Sequence, residues 1–138
     1  MKAFMLVLLT MSFACIAKAD TVDYFRVYYN EKKIKDQNFY GSSAHISIKA
    51  SDIKPGDSVT LKYFRDTPCW ECATFVEVFL DGEKVIIGKG RGTGNAVSFA
   101  ASDLLRYKSK TGKQIFHVYY YETGRIATKS PIFYITLN

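Results

Sequence analysis

The sequence is poor in the residues on which most enzymes depend. Its 138 residues hold two histidines, three cysteines, three prolines and one tryptophan. The histidines, His45 and His117, are far apart. Nothing resembles a Ser-His-Asp arrangement or a paired-carboxylate site of defined spacing. No stretch gathers five or more basic residues, so the net charge of +6 is a diffuse excess, and no nucleic-acid partner is expected. Internal repeats and low-complexity tracts are absent. No apolar periodicity supports a helix longer than about two turns. Hydrolytic chemistry is therefore disfavoured, the protein is not expected to be an enzyme, and no cofactor or metal is expected.

The first apolar run is the leader. Lys2 gives a positive start, Phe4 to Ile16 is mostly apolar, and Ala17-Lys18-Ala19 ends in a small-x-small pattern. This predicts a secretory signal peptide over residues 1–19, cut before Asp20. The run is about 13 residues, short of the roughly 20 that span a bilayer. Cys15 could be a lipidated first residue after a different cut, but Ser12-Phe13-Ala14 is a poor lipoprotein signal. Residues 20–138 then form one secreted or periplasmic domain with no membrane span. Loss of Lys2 and Lys18 lowers its charge to a mild basic excess.

What remains is rich in strand-forming residues. Val22–Tyr29 alternates around Phe25, Val27 and Tyr29, and predicts a first strand. Asn30–Lys33 reads as a polar turn, and residues 34–44 as irregular, with a loop at Gly41-Ser42-Ser43. His45–Lys49 predicts a short strand and Pro55-Gly56-Asp57 a turn. Val59, Leu61 and Tyr63 alternate with Thr60, Lys62 and Phe64. The runs 74–80 and 83–88 flank Asp81-Gly82, a strong hairpin signal. Four glycines in Gly88–Asn95 resemble a phosphate loop. The strand pattern Ala96–Phe99 follows them instead of a helix, so the run reads as a flexible connection. Ser102–Leu105 predicts one helical turn with Ser102 as N-cap. Gln114–Glu122 predicts the next strand. Arg125–Leu137 predicts the last, interrupted by Pro131, which suggests an edge position.

Seven or eight short strands with regular turn signals predict an all-β, antiparallel β-sandwich. Ser98 to Tyr121 resembles the corner of immunoglobulin-like domains of secreted bacterial proteins, where a short helical turn crosses between strands. The resemblance covers about residues 20–137 and implies fold, not function.

Cys69-Trp70-Glu71-Cys72 is the sharpest chemical feature. In an oxidising compartment a disulfide between Cys69 and Cys72 is expected. A loop so short yields only about 2 kcal/mol of stabilisation. The pair could instead cycle between dithiol and disulfide. Phe64–Phe75 is similar to the active-site stretch of thioredoxins, with Pro131 as their cis-proline. Those proteins place the motif at the start of a long helix, whereas Thr74, Phe75, Val76, Val78 and Phe79 favour a strand. The two histidines and two cysteines could in principle make a four-ligand metal set.

Aromatics are the second feature, with ten Tyr and ten Phe in the chain. Several strands carry them on both faces: Phe64 beside Tyr63, Phe75 and Phe79 against Val76 and Val78, and Tyr119-Tyr120-Tyr121 in succession. One face must be core. The other could hold sugar rings or a protein partner together with Trp70. The expected contact surface is Phe64, Trp70, Glu71, Phe75 and Phe79. The expected function is binding of a protein or glycan at the cell envelope. A thiol–disulfide protein and a subunit pairing through the edge strand Arg125–Leu137 are the rivals.

Overall fold

A computed structural model describes residues 23–38, 43–125 and 130–138. The predicted signal peptide and Cys15 lie outside the described residues. Nine strands and one α-helix are present among them: β1 Tyr24–Tyr29, β2 Lys32–Asn38, β3 Ala44–Ile48, β4 Ser58–Phe64, β5 Ala73–Leu80, β6 Glu83–Arg91, β7 Val97–Ala100, α1 Ala101–Thr111, β8 Ile115–Glu122 and β9 Phe133–Leu137. They form two sheets, β2-β1-β4-β7 and β3-β9-β8-β5-β6. All pairings are antiparallel except β3 with β9. The all-β expectation holds.

Period-two alternation builds the core. Phe25 and Val27 of β1, Val59, Leu61 and Tyr63 of β4, and Val97 and Phe99 of β7 are buried from the first sheet. Val76 and Val78, Phe116 and Val118, and Phe133 and Ile135 are fully buried from the second. Rings from the two sheets meet between the layers. Phe25 stacks on Phe133 at 5.8 Å and Tyr63 on Tyr120 at 4.6 Å. The β5–β6 hairpin turns on Asp81 (φ 52°) and Gly82 (φ 84°), the positive φ values that a tight hairpin needs.

Four local expectations are corrected. Residues 32–38 are a strand, not a turn followed by irregular chain. Lys32–Asn38 lies at a sheet edge and is mostly exposed, so no apolar alternation marks it, and its lysines suit an edge. The helix runs for 11 residues, not one turn. Its N-cap is Ala100 rather than Ser102, and only Ala101 and Leu104 are buried on it. Gly112, at φ 74°, ends it by donating to the Lys108 carbonyl at 2.8 Å. Gly88 and Gly90 belong to β6, not to a flexible connection. Finally, β9 lies between β3 and β8, so it offers no free edge for pairing with another chain. Pro131 precedes this strand and does not interrupt it.

One surface hub ties three segments together. The Asp57 carboxylate accepts from the Tyr29 hydroxyl at 2.6 Å, the Lys54 amide at 2.9 Å and the Asn30 side chain at 2.9 Å. Its carbonyl accepts from the Ala101 amide at 2.9 Å, anchoring the start of α1. The Tyr29 hydroxyl, then the Lys54 amide and Asn30, hold the Asp57 carboxyl below its usual value. A carboxyl depressed in the folded state stabilises the fold fully above its unfolded pKa. That contribution is lost as pH falls through the folded value. Asp57→Asn should therefore flatten the acid limb of stability below about pH 4, read as the urea midpoint from pH 5 to pH 2. An unchanged limb would contradict this role.

Candidate functional site

Two regions carry chemistry: the outer face of the second sheet and the loop between β4 and β5. On the face, Phe75, Glu77 and Phe79 alternate with buried Thr74, Val76, Val78 and Leu80. On β8 the outward residues are His117, Tyr119 and Tyr121. Strand register sets Phe75 beside Tyr121, Glu77 beside Tyr119 and Phe79 beside His117. Phe75 and Tyr121 stack at 4.7 Å and 13°, while Phe79 meets Tyr119 edge-on at 5.1 Å. Tyr134 extends the rings across β9, with His117 at 4.8 Å and His45 at 5.0 Å. The result is a ladder of rings across four strands.

Polar groups punctuate it. Glu77 accepts from Lys84 at 2.7 Å and from the Tyr121 hydroxyl at 3.1 Å. Burial first, then this bond, raises the Tyr121 phenol above its ordinary value. A groove of about 360 Å³ opens here, lined by Glu77, Phe79, His117, Tyr119 and Tyr121. A larger hollow of about 630 Å³ on the first sheet holds Tyr28 as its single ring, among Asn30, Glu31, Thr60 and Lys62.

The loop 65–72 closes one end of the molecule. It is fastened to the turn after β6, where Gly92 and Thr93 donate their amides to the carbonyls of Cys72 and Cys69 at 2.9 and 2.7 Å, while Gly94 donates to the carbonyl of Tyr63 in β4 at 2.7 Å. The Cys69 amide returns a bond to Thr93 Oγ1 at 2.8 Å. These amides, which a phosphate would need, are thus spent on the chain itself. Trp70 and Glu71 project from the loop, Trp70 with 74% of its surface exposed. Glu71 pairs with Arg91 at 3.2 Å in solvent.

Beneath the loop is a buried polar cluster that the sequence reading missed. Glu122, 3% exposed, accepts from Arg65 at 2.6 Å, Thr93 Oγ1 at 2.6 Å and the Tyr120 hydroxyl at 2.9 Å. Parity was the available signal. Phe116, Val118, Tyr120 and Glu122 share one side of β8, so an inward Phe116 carries Glu122 inward too.

Cys69 and Cys72 are free thiols in this structure. The Cys72 amide donates to Cys69 Sγ at 3.0 Å, and the Cys72 thiol to the Cys69 carbonyl at 3.6 Å. No helix follows: β5 begins at Ala73. No peptide bond among the described residues is cis, so Pro131 has no cis-proline role.

The predicted contact residues do not form one patch. Phe75 and Phe79 share the ladder. Trp70 and Glu71 stand on the end loop. Phe64 lies on the outer face of the other sheet, stacked on Tyr24 at 4.7 Å with Arg26 over both rings. The metal set is not assembled either. His45 and His117 flank Tyr134, while five residue steps along β8, roughly 16 Å of strand, take His117 to Glu122 near the cysteines. No group of three or more potential ligands occurs among the described residues. No helix among them is long and apolar enough to cross a membrane.

The described residues thus form an all-β fold of two sheets, with a ring ladder on one outer face and the two cysteines in a loop at one end. No protein-family model, curated protein or solved structure matches the chain.

Proposed function

We propose that the protein is a secreted or periplasmic, non-enzymatic binding module of immunoglobulin-like type, acting on a protein or glycan at the cell envelope. The leader sequence supports the location. The passage from β7 through α1 to β8, from one sheet to the other, supports the fold type. The ring ladder of Phe75, Phe79, Tyr119, Tyr121 and Tyr134 carries the binding reading.

Of the two ligand classes, a glycan suits this face better. Its rings are half-buried and packed on one another, rather than free as single anchors for a partner's pocket. A ring face carries negative charge density and attracts the polarised C–H bonds of a sugar. Glu77, Lys84 and His117 lie beside the rings and supply directional hydrogen bonds.

Affinity electrophoresis through gels holding soluble peptidoglycan fragments tests this. Wild-type protein should be retarded. Tyr119→Ala should weaken binding about tenfold, since a stacked ring contributes about 1–1.5 kcal/mol. Tyr24→Ala, on the opposite sheet, should bind like wild type. Equal mobility with and without the fragments would overturn the glycan assignment.

A further inference from the structure

The cysteine loop serves no purpose on the ring face. It is also held without any bond between its sulfurs, because Gly92 and Thr93 fasten it through three hydrogen bonds. A disulfide across so short a loop would add only about 2 kcal/mol to a segment already fixed. The geometry suits exchange better than stapling. The Cys72 amide points at Cys69 Sγ from 3.0 Å, a donor that stabilises a thiolate there. The Cys72 thiol also reaches the Cys69 carbonyl, at 3.6 Å. Both residues are partly exposed, and the segment between them, Trp70-Glu71, stands in solvent.

We propose that Cys69 and Cys72 are a working dithiol–disulfide couple that reduces a disulfide of a partner protein, with Cys69 attacking and Cys72 resolving. Cys69 Sγ, as thiolate, bonds to one sulfur of the partner disulfide. That S–S bond breaks, and the other sulfur leaves as a thiolate that takes a proton from water. Cys72 loses its proton to solvent and attacks Cys69 Sγ. The mixed disulfide breaks, the Cys69–Cys72 bond forms, and the second partner sulfur leaves and is protonated. The pair gives up two electrons and is oxidised; the partner disulfide is reduced to two thiols.

The two thiols are unlike in the way these roles require. The Cys72 side chain is the largest influence holding the Cys69 thiol below its ordinary value of 9.0. Burial, then the bond to Cys69, pushes the Cys72 thiol up to about 11. The nearby Glu122 charge opposes thiolate formation at both.

This activity does not rest on the binding reading, and either can fail alone. The reduced wild-type protein is alkylated with iodoacetamide at pH 7 and the two sites are followed by mass. Cys69 should react severalfold faster than Cys72. Separately, Cys72→Ser incubated with oxidised glutathione should be captured as a mixed disulfide at Cys69, while Cys69→Ser should be captured severalfold more slowly. Equal alkylation rates, or absence of capture in Cys72→Ser, would overturn the proposal. The alkylation comparison needs no substitution, so a misfolded variant cannot leave the question open.

Discussion

Glu122→Ala should destabilise the protein by about 3–5 kcal/mol, the cost of breaking a buried ion pair from one side. The Arg65–Glu122 contact is 2.6 Å long, with side-chain exposures of 11% and 2%. Arg65 Nε has no partner, and the guanidinium's other bond, from Nη1 to Thr67, is a longer 3.3 Å. Removing the carboxylate therefore strands a guanidinium in a dry site. It also deprives the Thr93 and Tyr120 hydroxyls of their acceptor. Thr93 is the residue that holds Cys69 through both its amide and its hydroxyl, so the end loop should loosen as well. The comparison is Glu71→Ala. Its partner Arg91 and Glu71 itself are 69% and 86% exposed, so screening leaves that pair worth less than about 1 kcal/mol. Urea unfolding of the two variants beside wild type measures the contrast. Equal midpoints for both would contradict the central place given to the buried cluster.

Gly88→Ala should cost about 1–3 kcal/mol, although glycine to alanine in a strand is ordinarily neutral or favourable. The backbone at Gly88 needs no positive φ, so conformational strain plays no part. The obstacle is contact: a Cβ there would lie 2.7 Å from the Ser98 carbonyl oxygen, a backbone atom that cannot swing aside. The same holds more softly at Gly90, where a Cβ would meet Thr74 Oγ1 and Val97 Cγ2, both at 2.8 Å. These two glycines let β7, at the edge of one sheet, lie against β6, at the edge of the other. Lys89→Ala, between them and facing solvent, should be near neutral. Thermal unfolding of Gly88→Ala and Lys89→Ala gives the test, and a Gly88→Ala protein as stable as wild type would refute the close-approach account.

These two residues also mark where the sequence was readable and where it was not. Alternation along β1, β4, β5 and β8 was legible, because each buries one face, as was the Asp81-Gly82 hairpin. Glycines that make room for a neighbouring strand look the same in sequence as glycines that make a loop, so Gly88 and Gly90 were misread. The strand Lys32–Asn38 escaped notice because an edge strand in solvent has no buried face to impose a period. The length of α1 escaped because only Ala101 and Leu104 are buried on it. At the site, parity placed Phe75 and Phe79 together correctly. Phe64 was grouped with them although it lies on the other sheet, since sheet membership depends on pairing across long sequence separations. Glu122 was readable by parity alone. Its partners were not, because Arg65, Thr93 and Glu122 come from three separate segments.

The account turns on the ring ladder as the contact surface, and chemical-shift mapping tests it most directly. Isotope-labelled protein is titrated with soluble peptidoglycan fragments while its backbone and aromatic signals are followed. The account predicts saturable shifts concentrated at Phe75, Phe79, Tyr119, Tyr121 and Tyr134, with Tyr24, Tyr28 and Phe64 on the opposite sheet unmoved. Shifts confined to the opposite sheet, or no saturable shift anywhere, would contradict it.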